Sequence, residues 1–227
     1  MRSQKGLQGA GEWRELQKIL PDFCEKRVLD LGCGYGWHCK YAADHHAASV
    51  LGTDLSEKMI QTARTINAAP SIEYRRVAME DLDFPERSFD VVLSSLALHY
   101  VEAFAPLVRN ISKWLVSGGS FVFSVEHPVF TSYGTQDWYY DENGEILHFP
   151  VDNYYFEGPR EAIFLGETVI KYHRTVTTYL NTLLQNGFVL RHIIEPQPPE
   201  DMLELEGMKD ELRRPMMLLV AAVKQEQ

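Results

Sequence analysis

The segment Asp30-Leu31-Gly32-Cys33-Gly34-Tyr35-Gly36 carries the most chemistry in this chain. It follows a stretch rich in Val and Leu and precedes a helical one. In that context a glycine turn brings backbone N–H groups against a nucleotide-like ligand. Glycine is needed because a side chain would hold the ligand away and because φ > 0 costs glycine little. Asp54 follows Gly36 by 18 positions, close to the spacing of about 20 at which an acidic residue takes ribose hydroxyls. An adenosine moiety is therefore indicated. Asp30 stands at the mouth of the turn, where a dinucleotide pyrophosphate would meet a like charge and a cationic ligand an opposite one. The third glycine also comes one position too early for the nicotinamide fingerprint G-x-G-x-x-G, whose last position here is Trp37. Both features disfavour a nicotinamide-dependent oxidoreductase.

Periodicity gives the elements that position these residues. It predicts a helix near Glu12–Leu20, a strand at Arg27–Leu31, a helix through His38–His46 and a strand at Ser49–Thr53. Ser56 is a suitable N-cap for a helix over Glu57–Asn67, which Pro70 ends. Strands are expected at Ile72–Val77, Phe89–Ser94 and Ser120–Val125, with a helix over Phe104–Leu115 stopped by Gly118-Gly119. Alternating β and α units of this kind build a parallel sheet. A late helix at Val176–Gln185 and two strands, Phe188–Ile194 and Met216–Val223, suggest a terminal hairpin on that sheet. Between Pro128 and about Ile170 no period is clear, but Tyr133, Trp138, Tyr139, Tyr140, Phe149, Tyr154, Tyr155, Phe156 and Phe164 crowd together. The stretch is too long for an ordinary loop and reads as a functional insertion or cap.

Four motifs in order, Asp30-x-Gly32-x-Gly34-x-Gly36, Gly52-Thr53-Asp54-Leu55-Ser56-x-x-Met59, Met79-Glu80-Asp81-Leu82 and Phe89-Asp90-Val91-Val92, resemble the class I S-adenosylmethionine (SAM)-dependent methyltransferases. The likeness is to the small-molecule branch that includes ubiquinone-biosynthesis-type enzymes. It covers Val28 to Glu126 well and the remainder in outline. It implies an α/β fold: a Rossmann-like, seven-stranded, mostly parallel sheet with the last strand antiparallel and helices on both faces. Residues 1–227 would form a single domain, with an aromatic-rich insertion after the fifth strand, 128–170, as a substrate-side cap. The implied cofactor is SAM. Gly32 and Gly34 would meet its methionine and ribose portions through their backbone, with Cys33 between them. Asp30 would hold the amino end and Asp54 the ribose diol. Leu55 and Met59 would flank the adenine, and Met79 and Glu80 would pass along its edge. Ser94, Ser95 and Leu96 would border the methionine chain and the transferred methyl. The chain departs from many relatives at Ala78, where an acidic residue is common.

A sulfonium methyl is already activated, so the protein mainly has to align an acceptor lone pair and exclude water. Where a base is useful, His99, His127 and His173 are the candidates, because histidine titrates near working pH. Each is equally a packing or capping residue on its type alone. The aromatic segment admits several readings: a pocket for an apolar or planar acceptor, a stack for a base, a cation–π cage for an amine, or the core of a structural insertion. Arg160 and Arg174 could pair with an acceptor carboxylate or phosphate, and Gly9–Trp13 could cross the cofactor mouth. The expected function is methyl transfer to a small-molecule acceptor, with a SAM-binding protein lacking transferase activity as the alternative.

Charge and composition narrow the partners. With 22 Lys and Arg against 32 Asp and Glu the net charge is -10 and no basic stripe is present, which speaks against nucleic acid. No apolar run approaches a membrane span, and no apolar region follows Arg2 and Lys5 as a secretory signal would require. The three cysteines, Cys24, Cys33 and Cys39, lack Cys-x-x-Cys spacing. They read as free thiols of a cytoplasmic protein, with neither disulfide framework nor metal site. The hydrophobic stripe of the final strand is compatible with a monomer or a homodimer.

Overall fold

Side-chain alternation along each strand sends Val28, Val91 and Val122 to one face of a sheet and Leu29, Val92 and Phe121 to the other. The computed structural model describes residues 6–164 and 166–226; Arg2 and Lys5 lie outside these described residues. Helix α1 (Trp13–Ile19) precedes β1 (Arg27–Leu31), α2 (Trp37–Asp44), β2 (Ser49–Asp54), α3 (Glu57–Ile66), β3 (Ile72–Arg76), β4 (Phe89–Ser95), α4 (Phe104–Trp114) and β5 (Leu115–Glu126). The short α5 (Pro128–Ser132) and two small hairpins, β6 (Tyr139–Tyr140) with β7 (Ile146–His148) and β8 (Gly158–Phe164) with β9 (Glu167–His173), form the insertion. Helix α6 (Val176–Gln185), β10 (Phe188–Ile194) and β11 (Met217–Lys224) complete the order.

The large sheet has seven strands in the order β10-β11-β5-β4-β1-β2-β3. β1 to β5 pair in parallel, whereas β11 is antiparallel to both β5 and β10. Helices α4 and α6 bury Leu107, Ile111, Trp114, Tyr179 and Leu183 on one face. Helices α1, α2 and α3 bury Trp13, Leu16, Ala42, Ile60 and Ala63 on the other. This is the doubly covered parallel architecture that near-continuous apolar strands require. Ser56 caps α3, its hydroxyl accepting from the Met59 N–H. Among the described residues no helix is long and apolar enough to cross a membrane.

One expectation changes. Helix α4 ends at Trp114 and the chain enters β5 at once, so Gly118-Gly119 does not stop a helix. The glycines instead let the first part of β5 loop out where its register with β4 shifts between Phe89 and Val91. A Cβ on Gly119 would stand 2.9 Å from the Val116 carbonyl oxygen and 3.1 Å from that of Asp90. The stripe on the last strand is also accounted for internally: β11 lies between β5 and β10, with Leu218 and Val220 packed on one face of the sheet and Leu219 and Ala221 on the other.

Gly36 illustrates how the first turn is fixed. Its φ is +77°, and a Cβ there would lie 2.2 Å from the Tyr74 hydroxyl. That hydroxyl donates to the Asn67 carbonyl at 2.8 Å, and Asn67 in turn donates to the Tyr35 carbonyl at 2.7 Å. Gly36→Ala should therefore destabilise the protein by about 2–5 kcal/mol from left-handed strain plus overpacking. Urea titration measures the loss, and combining the substitution with Tyr74→Leu should recover part of it.

Candidate functional site

The parallel pairing of β1 with β2 sets Leu31 opposite Thr53, so the turn leaving β1 lies beside the end of β2. The Cys33 N–H donates to the Thr53 carbonyl at 2.9 Å. The Gly34 N–H donates to Asp54 Oδ2 at 2.9 Å, and the Ser56 N–H to Asp54 Oδ1 at 2.8 Å. One half-buried carboxylate thus ties the glycine turn to the start of α3, and each of its oxygens keeps a second lone pair for a ligand. The three glycines do different things. Gly36 makes room for Tyr74. Gly32, at φ +70°, makes room for Ala97 and Met79, whose Cβ and Cε would stand 2.4 and 2.7 Å from an added Cβ. Gly34, at φ +55°, faces open space among the described residues, none of which places an atom within 4 Å of where a Cβ would stand.

Asp30, 1% exposed, sits beneath the turn and accepts from the Cys39 thiol at 3.2 Å. Burial holds the Cys39 pKa well above the ordinary thiol value. The Cys33 pKa is raised too: a hydrogen bond with Cys39 opposes the shift, but burial and the charges of Asp30 and Asp54 outweigh it. Both thiols stay protonated and act as small apolar groups. Around the turn, Leu55 is 66% exposed beside Asp54, Met59 is half-buried and Glu80 exposed. Ser94 is buried and donates to the Leu31 carbonyl at 2.9 Å, so its hydroxyl ties β4 to β1. Ser95 meets the Ser124 hydroxyl at 3.1 Å. Leu96, in the left-handed region at φ +53°, turns the chain off the end of β4.

The histidines are held in fixed roles. His173 accepts from the Thr131 hydroxyl at Nδ1, 2.8 Å, and donates from Nε2 to the Tyr154 carbonyl, 2.9 Å. His127 caps α5 by accepting from the Val129 N–H at Nδ1, 3.0 Å, while its Nε2 meets Glu195 at 2.9 Å. His99, 1% exposed, accepts from the Glu126 N–H at 3.3 Å, which puts its proton on Nε2, 4.0 Å from Glu126 Oε1. Burial lowers the His99 pKa to about 4. These bonds occupy the lone pair a general base would need in all three rings.

Sequence reading missed the group beside His99. Lys171, 3% exposed, donates to Glu126 Oε1 at 2.6 Å and to Gln136 Oε1 at 2.7 Å, and Gln136 Nε2 donates to Glu126 Oε2 at 2.7 Å. Tyr100 lies alongside, its pKa raised to about 12 by burial and by Glu126. In the sequence Glu126 marks only the end of the segment with clear resemblance, and Lys171 lies just past the stretch without clear period. Arg174 donates to the Val101 and Glu102 carbonyls, and Arg160 to those of Ser132 and Phe156; both clamp backbone. The aromatic cage exists, but its cation is internal: Arg214 lies 4.7 Å from the Phe130 ring, 4.9 Å from Trp138 and 4.7 Å from Phe149. Gly9–Trp13 leads into α1, where Trp13 is buried against His38 and Tyr41 of α2.

Comparison with known proteins places this geometry in context. Residues 29–123 match the methyltransferase domain family. The chain is 56% identical to a candidate S-adenosylmethionine-dependent methyltransferase from Listeria monocytogenes of known structure, over 98% of this chain and 100% of that one, with a TM-score of 0.93. It is 44% identical to the S-adenosylmethionine-dependent methyltransferase of Mesorhizobium loti over 96% of this chain and 100% of that one, with a TM-score of 0.89. A ubiquinone biosynthesis O-methyltransferase from Neisseria meningitidis is 36% identical over 129 residues, 51% of this chain and 54% of that protein.

The buried histidines predict the acid limb of stability. Unfolded, His99 takes a proton near pH 6.5; folded, only near 4. Its contribution is complete above pH 6.5 and is lost as pH falls from 6.5 toward 4, at up to about 1.4 kcal/mol per pH unit. The pKa values of His127 and His173, also lowered by burial, add loss of the same sign. Urea midpoints between pH 7 and 4.5 should fall, and His99→Asn, which keeps an acceptor for the Glu126 N–H, should show a shallower slope.

Proposed function

Because the chain belongs to the S-adenosylmethionine-dependent methyltransferases, we propose that it binds SAM across the glycine turn and methylates a small-molecule acceptor at the ends of β4 and β5. The observation that carries this reading is the open space in front of Gly34, bounded by the Asp54 carboxylate. A cofactor lying there would place its ribose hydroxyls on the free lone pairs of Asp54. The backbone of Gly32 and Gly34 carries the methionine and ribose portions, and Cys33 packs beneath them. Asp30 attracts the α-ammonium, directly or through water. Leu55 offers an exposed apolar face to the adenine, Met59 backs it, and Met79 and Glu80 run along its edge. Ser95 and Leu96 border the methionine chain, with Ser94 holding their strand from behind.

When bound, SAM supplies a methyl group on a positively charged sulfur. The chain's own residues then have to orient the acceptor and keep water away. We assign His99, His127 and His173 to positioning: His99 orients Glu126, His127 starts α5, and His173 fastens the cap through Thr131 and Tyr154. Tyr100 and the β8–β9 hairpin cover the acceptor side. The Neisseria relative, named for ubiquinone biosynthesis, supports a small acceptor. The buried free thiols support a reducing, cytoplasmic setting.

Isothermal titration with S-adenosylhomocysteine, alongside NADH, tests the reading. Binding of the first alone is expected; binding of neither, or of NADH alone, would overturn it. Asp54→Ala should weaken S-adenosylhomocysteine binding by about 1–3 kcal/mol through loss of charge-assisted bonds. Gly34→Val, whose side chain would fill the open space, should weaken it at least about tenfold; normal binding by that variant with a native thermal transition would refute the placement of the cofactor.

A further inference from the structure

Lys171 projects from the inward face of the β8–β9 hairpin, whose outward face exposes Ile163 and Ile170. It meets Glu126 at the end of β5, two residues past Ser124, which hydrogen-bonds Ser95 and the Leu96 N–H. The pair therefore stands next to the residues assigned to the transferred methyl group. Removing a lysine and a glutamate from water is unfavourable, and close pairing offsets this only when further hydrogen bonds satisfy both groups. Here one side chain bonds both groups. The Gln136 carboxamide donates to Glu126 at 2.7 Å and accepts from Lys171 at 2.7 Å, closing a ring of three bonds.

Gln136 is not part of the scaffold that holds the pair. It belongs to the loop between α5 and β6, is half-buried, and adopts φ +53°, a conformation that costs a non-glycine residue free energy. Glu126 and Lys171, by contrast, lie on strands of two different sheets. A fixed donor and a fixed acceptor are thus bridged by an amide on a strained loop, and a ligand that makes the same two bonds offsets the loss of that amide.

Resting on the methyltransferase reading above, we propose that Glu126 and Lys171 recognise the acceptor, and that the acceptor carries an amide or lactam, whose N–H and oxygen replace those of the Gln136 side chain. Glu126 takes the N–H and Lys171 the carbonyl oxygen. An ester or ether of the same size offers no donor to Glu126 and leaves an oxygen of its half-buried carboxylate without that partner, which is the stronger source of discrimination. His99 Nδ1 accepts from the Glu126 N–H at 3.3 Å and so holds the backbone that carries this carboxylate.

The test uses the full chain saturated with S-adenosylhomocysteine, whose own binding is measured first in every protein. Wild type, Gln136→Ala and Gln136→Ala/Lys171→Met are titrated with benzamide, 2-pyridone and N-acetylglycinamide, with methyl benzoate and anisole as controls. Gln136→Ala should bind at least one amide or lactam probe about fivefold or more tighter than wild type, with no gain for the controls. Lys171→Met should remove that gain. Equal gains for the ester and ether would mean that the substitution merely opened an apolar hole, and no gain for any probe would mean that Gln136 is structural; either result overturns the proposal while leaving S-adenosylhomocysteine binding, and so the methyltransferase reading, intact. Failure of wild type to bind S-adenosylhomocysteine overturns both. Because Gln136 is a loop residue, the first comparison holds even if the double variant folds poorly.

Discussion

The bond from the Gly34 N–H to the Asp54 carboxylate joins the first turn of the sheet to the end of its second strand, and the cofactor side is organised around it. The turn can approach Asp54 only because β1 and β2 are parallel neighbours whose ends coincide. Beneath the turn, glycine at 36 and 52 makes room for the Tyr74 ring, which a Cβ at either position would strike. Tyr74 comes from β3, so β1, β2 and β3 together shape the turn. The same carboxylate, through the Ser56 N–H, sets where α3 begins.

This half of the protein was legible in the sequence because its constraints are local and repeated. A parallel strand buried on both faces needs an apolar run, a turn at φ > 0 needs glycine, and a helix start needs an oxygen such as that of Ser56. Each leaves a mark at a fixed offset, and the marks agree. Gly118-Gly119 was misread because a glycine pair after a helix also serves a strand whose register slips, and only the partner strand distinguishes the two cases. Likewise Gly36 and Gly34 look alike in sequence, yet one admits a tyrosine and the other faces open space.

The acceptor side was not legible, for a different physical reason. Its contacts join residues far apart in the chain: Glu126 with Lys171, Arg214 with Phe130, Trp138 and Phe149. No periodicity couples such positions. Apart from Glu126 in β5, these residues lie in short elements and connecting loops, where hydrophobic patterning is weak. The histidines drew attention by type, but burial and paired hydrogen bonds give them neutral, fixed roles. The aromatic segment's most definite partner turned out to be an arginine from just before the last strand.

The position of β11 has a consequence for how the molecule is made. It lies between β5 and β10, although the chain supplies it after both. During vectorial synthesis the β5 edge, with Phe121, Phe123 and Val125, therefore stays unpaired until Met217–Lys224 has left the ribosome. Such an edge is a template for intermolecular strand addition. The sheet closes by threading a late strand into a waiting slot, a high-contact-order step that favours slow closure and chaperone protection of the nascent chain.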